Sequence, residues 1–381
     1  MKKMDFNRDW TCKCLTRDEA PRRVTLPHDA MISEPRREDS VAEGNIGWYI
    51  GGDYAYEKRF EAPEAWRGHA ALLEFEGVSR DCEVFINGQR AGGRPYAYTN
   101  FYVDAAPHLK YGQENELRVV ARNTQQPNSR WYPGTGLYRP VWLHLAGAAH
   151  IPVNGLRVRT VRIAPATVEV TVLTTAPGPV KVEILREGRV AARAEGQAAK
   201  RAPYQSVPAA FGASAQAPSP AQLSSHAAVM TLQVPDAALW SCDAPNLYTC
   251  RASFAEDVAE ETFGIRELKW TPDAGMTING RRVILRGACV HHDNGPLGAC
   301  AFPEAEARKV RLMKENGYNA LRSAHNPCSK AMLDACDKLG MLMMDEYVDV
   351  WYMHKTQYDY ANYLSDWWKQ RSEERRVGKE C

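Results

Sequence analysis

The segment VILRGACV (283–290) opens the region that decides the fold of the C-terminal third of the chain. It is apolar on both faces, as a buried parallel strand is. YNALRS (318–323) and MLMMDE (341–346) follow as the second and third strands. Helical patterns separate these apolar runs, and the connections between them are short. This alternation of strand and helix predicts the opening of a parallel α/β domain.

Both intervening helices carry start and stop signals. The first is predicted at about 303–316, with Pro303 in its first turn and Gly317 just past its end. Ser329 is placed to cap the second helix, and Gly340 ends it. About 100 residues remain for this domain, whereas a closed (β/α)₈ barrel needs about 250. We therefore expect only the first three β/α units of a barrel.

Upstream, the chain is predicted to be β-structure. In the first ~150 residues, short runs alternate apolar and polar side chains. Asn87-Gly88 lies between two such runs, and Asn-Gly is the strongest short hairpin signal because both turn positions need positive φ. No helical period of useful length occurs here. Many short strands with turn residues between them predict a β-sandwich.

A second β segment follows the first. Val168, Val170 and Val172 alternate with polar residues, and Pro177-Gly178-Pro179 predicts a turn. Residues 196–228 interrupt the pattern with Ala, Pro, Ser and Gln, and we interpret them as a poorly ordered insertion in a loop. The segment is typical of a small sandwich of immunoglobulin type.

These patterns divide the chain into consecutive parts. We expect a first β-sandwich at 1–148, an immunoglobulin-like β-sandwich at 149–266, the N-terminal part of a (β/α)₈ barrel at 267–370, and a non-native tail at 371–381.

Composition excludes several classes of function. Lys plus Arg is 48 and Asp plus Glu is 46, a near balance that gives no support for nucleic-acid binding. No apolar run approaches the roughly 18 residues of a membrane span, and MKKMDFNRDW (1–10) lacks the apolar stretch of a secretory signal. The ten cysteines form no CxxC pair and no Cys/His zinc pattern, which is typical of free thiols in a reducing cytosol. We expect a cytoplasmic protein without a cofactor or a membrane partner.

Polar residues follow each predicted strand of the α/β region. They are HHDN (291–294), RSAHNP (322–327) and DE (345–346). Functional residues of α/β folds collect at the C-terminal ends of the strands. Three polar strand ends in one series therefore indicate an active-site face.

Three interpretations of these residues are open. Metal ligation uses His and carboxylates, but the adjacent His291 and His292 face opposite sides of a strand. Sugar binding uses several donors and acceptors on one rigid face. In the structural alternative, Arg322 pairs with Asp345 or Glu346, and the histidines only fill the barrel mouth. The aromatic segment RWYPGTGLYRPVWL (130–143) likewise suits either stacking on sugar rings or a tryptophan-rich seam between domains.

Taken together, the segments resemble glycoside hydrolase family 2, which includes β-galactosidases, β-glucuronidases and β-mannosidases. The resemblance covers nearly everything from Val24 to about Trp368. It is carried, in the family's order, by LPHDAMI (26–32), RWYPGTGLYRPVWL (130–143), ILRGACVHHDNGPLG (284–298), NALRSAHNP (319–327) and GMLMMDE (340–346). It implies a jelly-roll-like sugar-binding sandwich, an immunoglobulin-like domain and a (β/α)₈ catalytic barrel.

The resemblance also implies roles for individual residues. His291 and His325 match the family's histidines that contact the sugar next to the scissile bond. Arg322 matches the arginine that orients active-site carboxylates. Asn326 and Asp345 lie beside these residues and are included as substrate-binding residues.

The chain departs from the family pattern at several places. Val350 and Tyr352 stand where metal-dependent relatives carry a Glu and a His, so magnesium is not expected there. The family's acid/base glutamate, in an Asn-Glu pair after the fourth strand, and its nucleophile after the seventh have no counterpart; Asn115-Glu116 lies in the first sandwich. The tail RSEERRVGKEC (371–381) resembles translated sequencing-adapter read-through, and a genuine solvated tail is the alternative.

The resemblance implies the N-terminal portion of a retaining exo-glycosidase, most similar to a bacterial β-galactosidase and inactive as written. Its expected partner is a β-galactoside or related oligosaccharide, and homo-oligomerisation of the full-length protein is left open. A β-glucuronidase, a non-catalytic carbohydrate-binding protein and a metal-dependent hydrolase are the alternatives.

Overall fold

The computed structural model of the chain describes residues 1–201 and 224–364. The centre of the predicted insertion and the predicted non-native tail lie outside the described residues.

The first sandwich packs a six-stranded sheet, in the order β3-β2-β4-β9-β6-β7, on a four-stranded sheet, in the order β1-β10-β5-β8. Its strands are β1 (Lys2–Asp5), β2 (Trp10–Cys14), β3 (Arg22–Val24), β4 (Asp53–Ala62), β5 (Ala70–Phe75), β6 (Cys82–Ile86), β7 (Gln89–Arg94), β8 (Phe101–Asp104), β9 (Gln113–Arg122) and β10 (Val141–Ala146). The inward positions of the alternating strands form the core, with Trp10, Tyr56 and Phe75 fully buried. Asn87 and Gly88 make the β6–β7 turn with φ of 52° and 79°, as predicted.

The second sandwich has seven strands in the order β11-β12-β15-β14-β13-β16-β17. They are β11 (Leu156–Ile163), β12 (Ala166–Thr174), β13 (Gly178–Arg186), β14 (Arg189–Lys200), β15 (His226–Gln233), β16 (Tyr248–Phe254) and β17 (Asp257–Phe263). Valines 168, 170 and 172 are buried in its core, as their alternation predicts.

The predicted insertion at 196–228 is wrong at both ends. β14 continues to Lys200 and β15 begins at His226, where the two strands pair. Alanine fits either face of a sheet, so an alanine-rich strand shows no alternation of apolar and polar side chains. For this reason the strand was not visible in the sequence.

The C-terminal region begins with a small antiparallel sheet and continues as three parallel strands with two helices. The elements are β18 (Leu268–Thr271), β19 (Gly275–Ile278), β20 (Arg281–Arg282), β21 (Gly287–Val290), α1 (Pro303–Glu315), β22 (Ala320–Ser323), α2 (Lys330–Leu339) and β23 (Leu342–Asp345), and residues 361–364 are helical. β21, β22 and β23 are parallel neighbours, with Val290, Ser323 and Asp345 in register. This arrangement confirms an incomplete (β/α)₈ barrel.

Both helix signals are confirmed. The Ser329 side chain accepts a hydrogen bond from the Met332 backbone N–H, and Gly340 ends α2 at a φ of 70°. The predicted first strand is too long, because β21 starts only at Gly287. The Asn319 side chain binds the backbone groups of Ile284 and Arg286, and so replaces the strand ladder there.

The first sandwich packs directly on the barrel strands. The buried Arg139 donates to the backbone oxygen of Pro327 at 2.8 Å. In the four-stranded sheet, Glu74 pairs with Lys330 at the start of α2, with 2.5 Å between Oε1 and Nζ. Arg139 lies in the connection between β9 and β10, and its bond to Pro327 holds this connection over the C-terminal ends of the parallel strands. Within the described ranges, no helix is long and apolar enough to cross a membrane.

Candidate active site

Three aromatic side chains from two domains meet at the strand ends. His291 follows β21, and His325 comes shortly after β22; their ring centroids are 5.5 Å apart. Trp131, from the first sandwich, lies 5.7 Å from the His291 ring and 5.2 Å from the His325 ring. The arrangement gives one aromatic face beside two imidazoles.

Polar contacts with both domains hold Trp131 in place. Its indole Nε1–H donates to the hydroxyl of Tyr98 at 3.2 Å. The neighbouring Arg130 pairs with Asp349 at 2.7 Å, and Lys355 pairs with the same Asp349 oxygen at 2.7 Å. The aromatic segment of the sequence thus lies at the seam between domains and also contributes a ring to the pocket beside His325.

Arg322 and His325 share one carboxylate. The Arg322 guanidinium binds Glu346 Oε1, and His325 Nδ1 lies 3.3 Å from Glu346 Oε2. Arg322 Nη1 also donates to the Cys289 sulfur at 3.2 Å. The hydrogen bonds to Cys289 and Glu346 raise the pKa of Arg322 above its usual range. Of the two carboxylates proposed in the structural alternative, Glu346 is the one that these contacts join to Arg322.

The other two sequence-derived site residues are placed differently. Asp345 Oδ1 accepts from the Ser323 hydroxyl at 2.7 Å and from the Cys328 backbone N–H at 3.0 Å, so it ties two strand ends together. Asn326 is buried and lines the pocket beside His325. Sugar contacts by these residues stay a prediction.

Asp29 is a structural residue of the site whose role the sequence did not reveal. It is buried, and its two oxygens accept hydrogen bonds from the Tyr132 hydroxyl and from the backbone N–H groups of Met31, Thr135 and Ala299. Burial raises the pKa of Asp29, while these four donors act in the opposite direction. Because Ala299 belongs to the barrel, Asp29 joins two loops of the sandwich to it. Its only signal in the sequence was its place in LPHDAMI.

His292 turns away from the aromatic cluster and is buried. Its Nε2 lies 3.1 Å from the backbone oxygen of Pro133, and a carbonyl can only accept, so Nε2 carries the proton. Burial and the nearby charge of Arg139 lower the pKa of His292 to about 3. At neutral pH this ring is therefore uncharged.

A pH dependence of stability follows from His292. Its pKa is about 6.5 in an unfolded chain and about 3 in the folded one, so between these values the unfolded state binds more protons. The contribution of His292 to the free energy of unfolding is fully present well above pH 6.5, and it is lost as the pH falls from there towards 3. At pH 5 we expect His292 to have lowered the free energy of unfolding by about 2 kcal/mol relative to its value at pH 8.

Urea denaturation at a series of pH values measures this effect. His292→Gln should flatten the slope below pH 6.5, whereas His108→Gln, a change on the sandwich surface, should leave it intact. His28, whose pKa burial lowers to about 4, leaves a residual slope in both variants. An identical slope in the two variants would contradict the role of His292.

No group of three or more His, Cys, Asp or Glu side chains suited to a metal ion occurs within residues 1–201 and 224–364. The nine cysteines of this part of the chain are free thiols, and seven of them are buried.

Comparison with known families accounts for most of the sequence. Residues 23–136 match the family described as "Glycosyl hydrolase 2 galactose-binding domain-like". Residues 151–266 match "Glycosyl hydrolases family 2", and residues 271–376 match "Glycosyl hydrolases family 2, TIM barrel domain". The matches follow one another in the order of the observed architecture.

Individual relatives agree with these families. The chain is 33% identical to the β-galactosidase BoGH2A of Bacteroides ovatus over 95% of its own length, and 30% identical to a putative β-glucuronidase of Formosa agariphila over 91%. It covers 43% and 32% of these relatives, respectively. A solved glycosyl hydrolase family 2 member from Bacteroides cellulosilyticus superposes with a TM-score of 0.87 at 29% identity, over 99% of this chain and 50% of that one. The fold, the ordered matches and the relatives together show that this chain belongs to glycosyl hydrolase family 2.

Proposed function

We propose that the chain is the N-terminal part of a retaining exo-glycosidase that hydrolyses terminal β-D-galactosides. The convergence of Trp131 with His291 and His325 carries this proposal. An aromatic ring offers a stacking surface for a sugar, and two imidazoles offer hydrogen bonds to its hydroxyl groups. Trp131 and His325, from two domains, line one pocket, and the His291 ring lies against both of them. That combination suits the recognition of a single terminal sugar.

Retaining hydrolysis needs two carboxyl groups about 5–5.5 Å apart, one as acid/base and one as nucleophile. Among the described residues of the site, three carboxylates close to the histidines or the pocket already have partners. Glu346 binds Arg322, Asp349 binds Arg130 and Lys355, and Asp345 binds Ser323. We therefore assign positioning rather than covalent chemistry to this part of the protein.

The residues proposed to position the sugar are those at the strand ends. His291 and His325 hydrogen-bond its hydroxyl groups, and Asn326 lines the same pocket. Arg322 fixes Glu346, which in turn orients the His325 ring. Asp345 keeps the strand ends in register. Interactions that strengthen in the oxocarbenium-like transition state would raise the rate in the whole enzyme.

The choice of sugar rests on one sequence segment, on the identities to individual relatives and on the charges in the pocket. The segment HHDNGPLG (291–298), which resembles bacterial β-galactosidases of the family most, and the higher identity to a β-galactosidase favour a galactoside. A β-glucuronidase is the second candidate, because Arg80, Arg130 and Lys355 line the pocket and cations suit a uronate carboxylate. A non-catalytic carbohydrate-binding protein is the third. We also propose domain boundaries near residues 148 and 266, which the matched ranges support.

The test uses a longer product of the same gene that carries further barrel strands. His325→Ala should lower kcat/KM for an aryl β-D-galactoside by roughly ten-fold or more, because an imidazole–hydroxyl hydrogen bond near the reacting carbon strengthens in the transition state. His108→Ala, on the sandwich surface, is the matched control. Unchanged kcat/KM in a folded His325→Ala protein would remove His325 from the site. A higher kcat/KM for the aryl β-D-glucuronide would select the second candidate.

A further inference from the structure

A second, smaller cavity lies behind the paired histidines, between the ends of β21 and β22 and the two helices. It is lined by His291, His292, Glu306 and Asn326, among others. Each of these four residues has one buried polar atom without a hydrogen-bond partner among the described residues: His291 Nδ1, His292 Nδ1, Glu306 Oε2 and Asn326 Nδ2. Buried polar atoms in proteins are almost always paired. Four such atoms around one cavity therefore point to a shared ligand.

The chemistry of three of these atoms is determined by their other contacts. His292 is neutral and carries its proton on Nε2, so its Nδ1 can only accept. Asn326 Nδ2 can only donate. Glu306 Oε1 accepts from Asn294 at 3.2 Å, and Lys309 Nζ stands 3.7 Å from Oε2, an ion pair beyond hydrogen-bond reach. Oε2 is thus a second acceptor.

We propose that this cavity binds one water molecule, which donates to His292 Nδ1 and Glu306 Oε2 and accepts from Asn326 Nδ2 and His291 Nδ1. The cavity leaves about 10 Å³ for the centre of a water molecule, which is the lower limit for holding one. Two acceptors and two donors match the full hydrogen-bonding capacity of water. A cation is disfavoured, because the ammonium group of Lys309 stands beside Glu306 and would repel it.

The water determines which nitrogen of His291 carries the proton. Both water hydrogens are used by the two acceptors, so His291 must donate from Nδ1. Burial and the neighbouring His325 lower the pKa of His291, which favours its neutral form. A neutral imidazole carries a single N–H proton, and here that proton is on Nδ1. Its Nε2 is then an acceptor. Glu306, through the water, is a positioning residue for His291.

The consequence for substrate depends on the proposed function. If His291 contacts the sugar, its Nε2 accepts a hydrogen bond from a hydroxyl group and cannot donate one. The site would then recognise the hydroxyl hydrogen, and a deoxy or fluorinated analogue at that position would bind more weakly.

The test reads the tautomer directly, without sugar. In the 381-residue chain labelled with ¹⁵N-histidine, long-range ¹H–¹⁵N spectra should show His291 protonated on Nδ1 and His292 protonated on Nε2. His291→Gln and His292→Gln identify the two sets of signals. A water cross-peak to the His291 Nδ1–H should accompany them. Protonation of His291 on Nε2 would overturn the proposal, as would a missing water cross-peak.

Substitution of Glu306 supplies the second measurement. In Glu306→Met the water keeps a single acceptor at His292, and its other hydrogen is free for His291 Nδ1. The His291 proton should then move to Nε2. Glu306→Gln, whose carbonyl still accepts, should restore the original tautomer. Glu304→Met, an exposed change on the same helix, is the control.

Equal His291 spectra in Glu306→Met and Glu304→Met would contradict the role of Glu306. If Glu306→Met does not fold, the spectrum of the unsubstituted chain still shows which His291 nitrogen carries the proton and so tests the proposal. Because no sugar is present, failure here leaves the kcat/KM test of His325 unaffected, and failure of that test leaves the tautomer result standing.

Discussion

The purified 381-residue chain is expected to release no nitrophenol from 4-nitrophenyl β-D-galactoside or β-D-glucuronide. Glycosyl transfer to the enzyme needs a free carboxylate at the anomeric carbon and a second carboxyl group to protonate the leaving oxygen. In the described part of the site, Glu346 is bound by Arg322 and faces His325. Both oxygens of Glu346 therefore already face protein partners, so we do not expect this carboxylate to serve as the acid or the nucleophile.

The control for this assay is Glu346→Gln in the same chain, purified in parallel. Equal signals from both proteins would identify any residual turnover as a contaminating glycosidase. Turnover that is clear in the unsubstituted chain and lost in Glu346→Gln would show that Glu346 is catalytic. That outcome would refute the positioning role proposed for the strand-end residues.

Lys330→Met is expected to cost about 3 kcal/mol in the free energy of unfolding. Glu74 has no solvent exposure, and Lys330 is the cation paired with it across the domain interface. Burial acts most strongly and raises the pKa of Glu74, but the charge of Lys330, the contact with His144 and the charge of Lys3 together outweigh it, and the pKa lies below its usual range. Removal of Lys330 leaves a buried carboxylate whose other side-chain partners include Asn100 and His144, at 2.6 and 2.8 Å. These partners, and the 39% exposure of the Lys330 side chain, keep the expected loss at the lower end of the range for a broken buried pair.

Urea denaturation followed by tryptophan fluorescence measures this loss. Lys338→Met, an exposed change on the same helix, should have little effect. Adding Glu74→Gln to Lys330→Met should recover part of the stability, because no unpaired charge remains in the interface. If the double variant is less stable than Lys330→Met by the full cost of Glu74→Gln alone, the two side chains are not coupled and the prediction is wrong.

Local patterns in the sequence were enough for the secondary structure of the barrel units. Ser329 and Gly340 mark the ends of α2 because capping depends on contacts within a few residues. Asn87-Gly88 predicted its hairpin for the same reason. The local signal was insufficient at the start of β21. There the Asn319 side chain forms hydrogen bonds with the backbone of Ile284 and Arg286, which are more than 30 residues away in the sequence. It was also insufficient in β14, where alanines carry no alternation.

The sequence by itself determined the family, the order of the domains and the strand ends that carry polar residues. These features follow from periodicity, turn chemistry and motifs that are continuous in the chain. Only the tertiary structure decided that Trp131 meets His291 and His325, and that Arg322 pairs with Glu346 rather than Asp345. It also placed Glu306, which reads as an ordinary polar residue in the first turn of a helix, at a buried cavity behind the histidines. Such contacts join residues far apart in sequence, and burial by another domain sets their energies, so no local pattern can specify them.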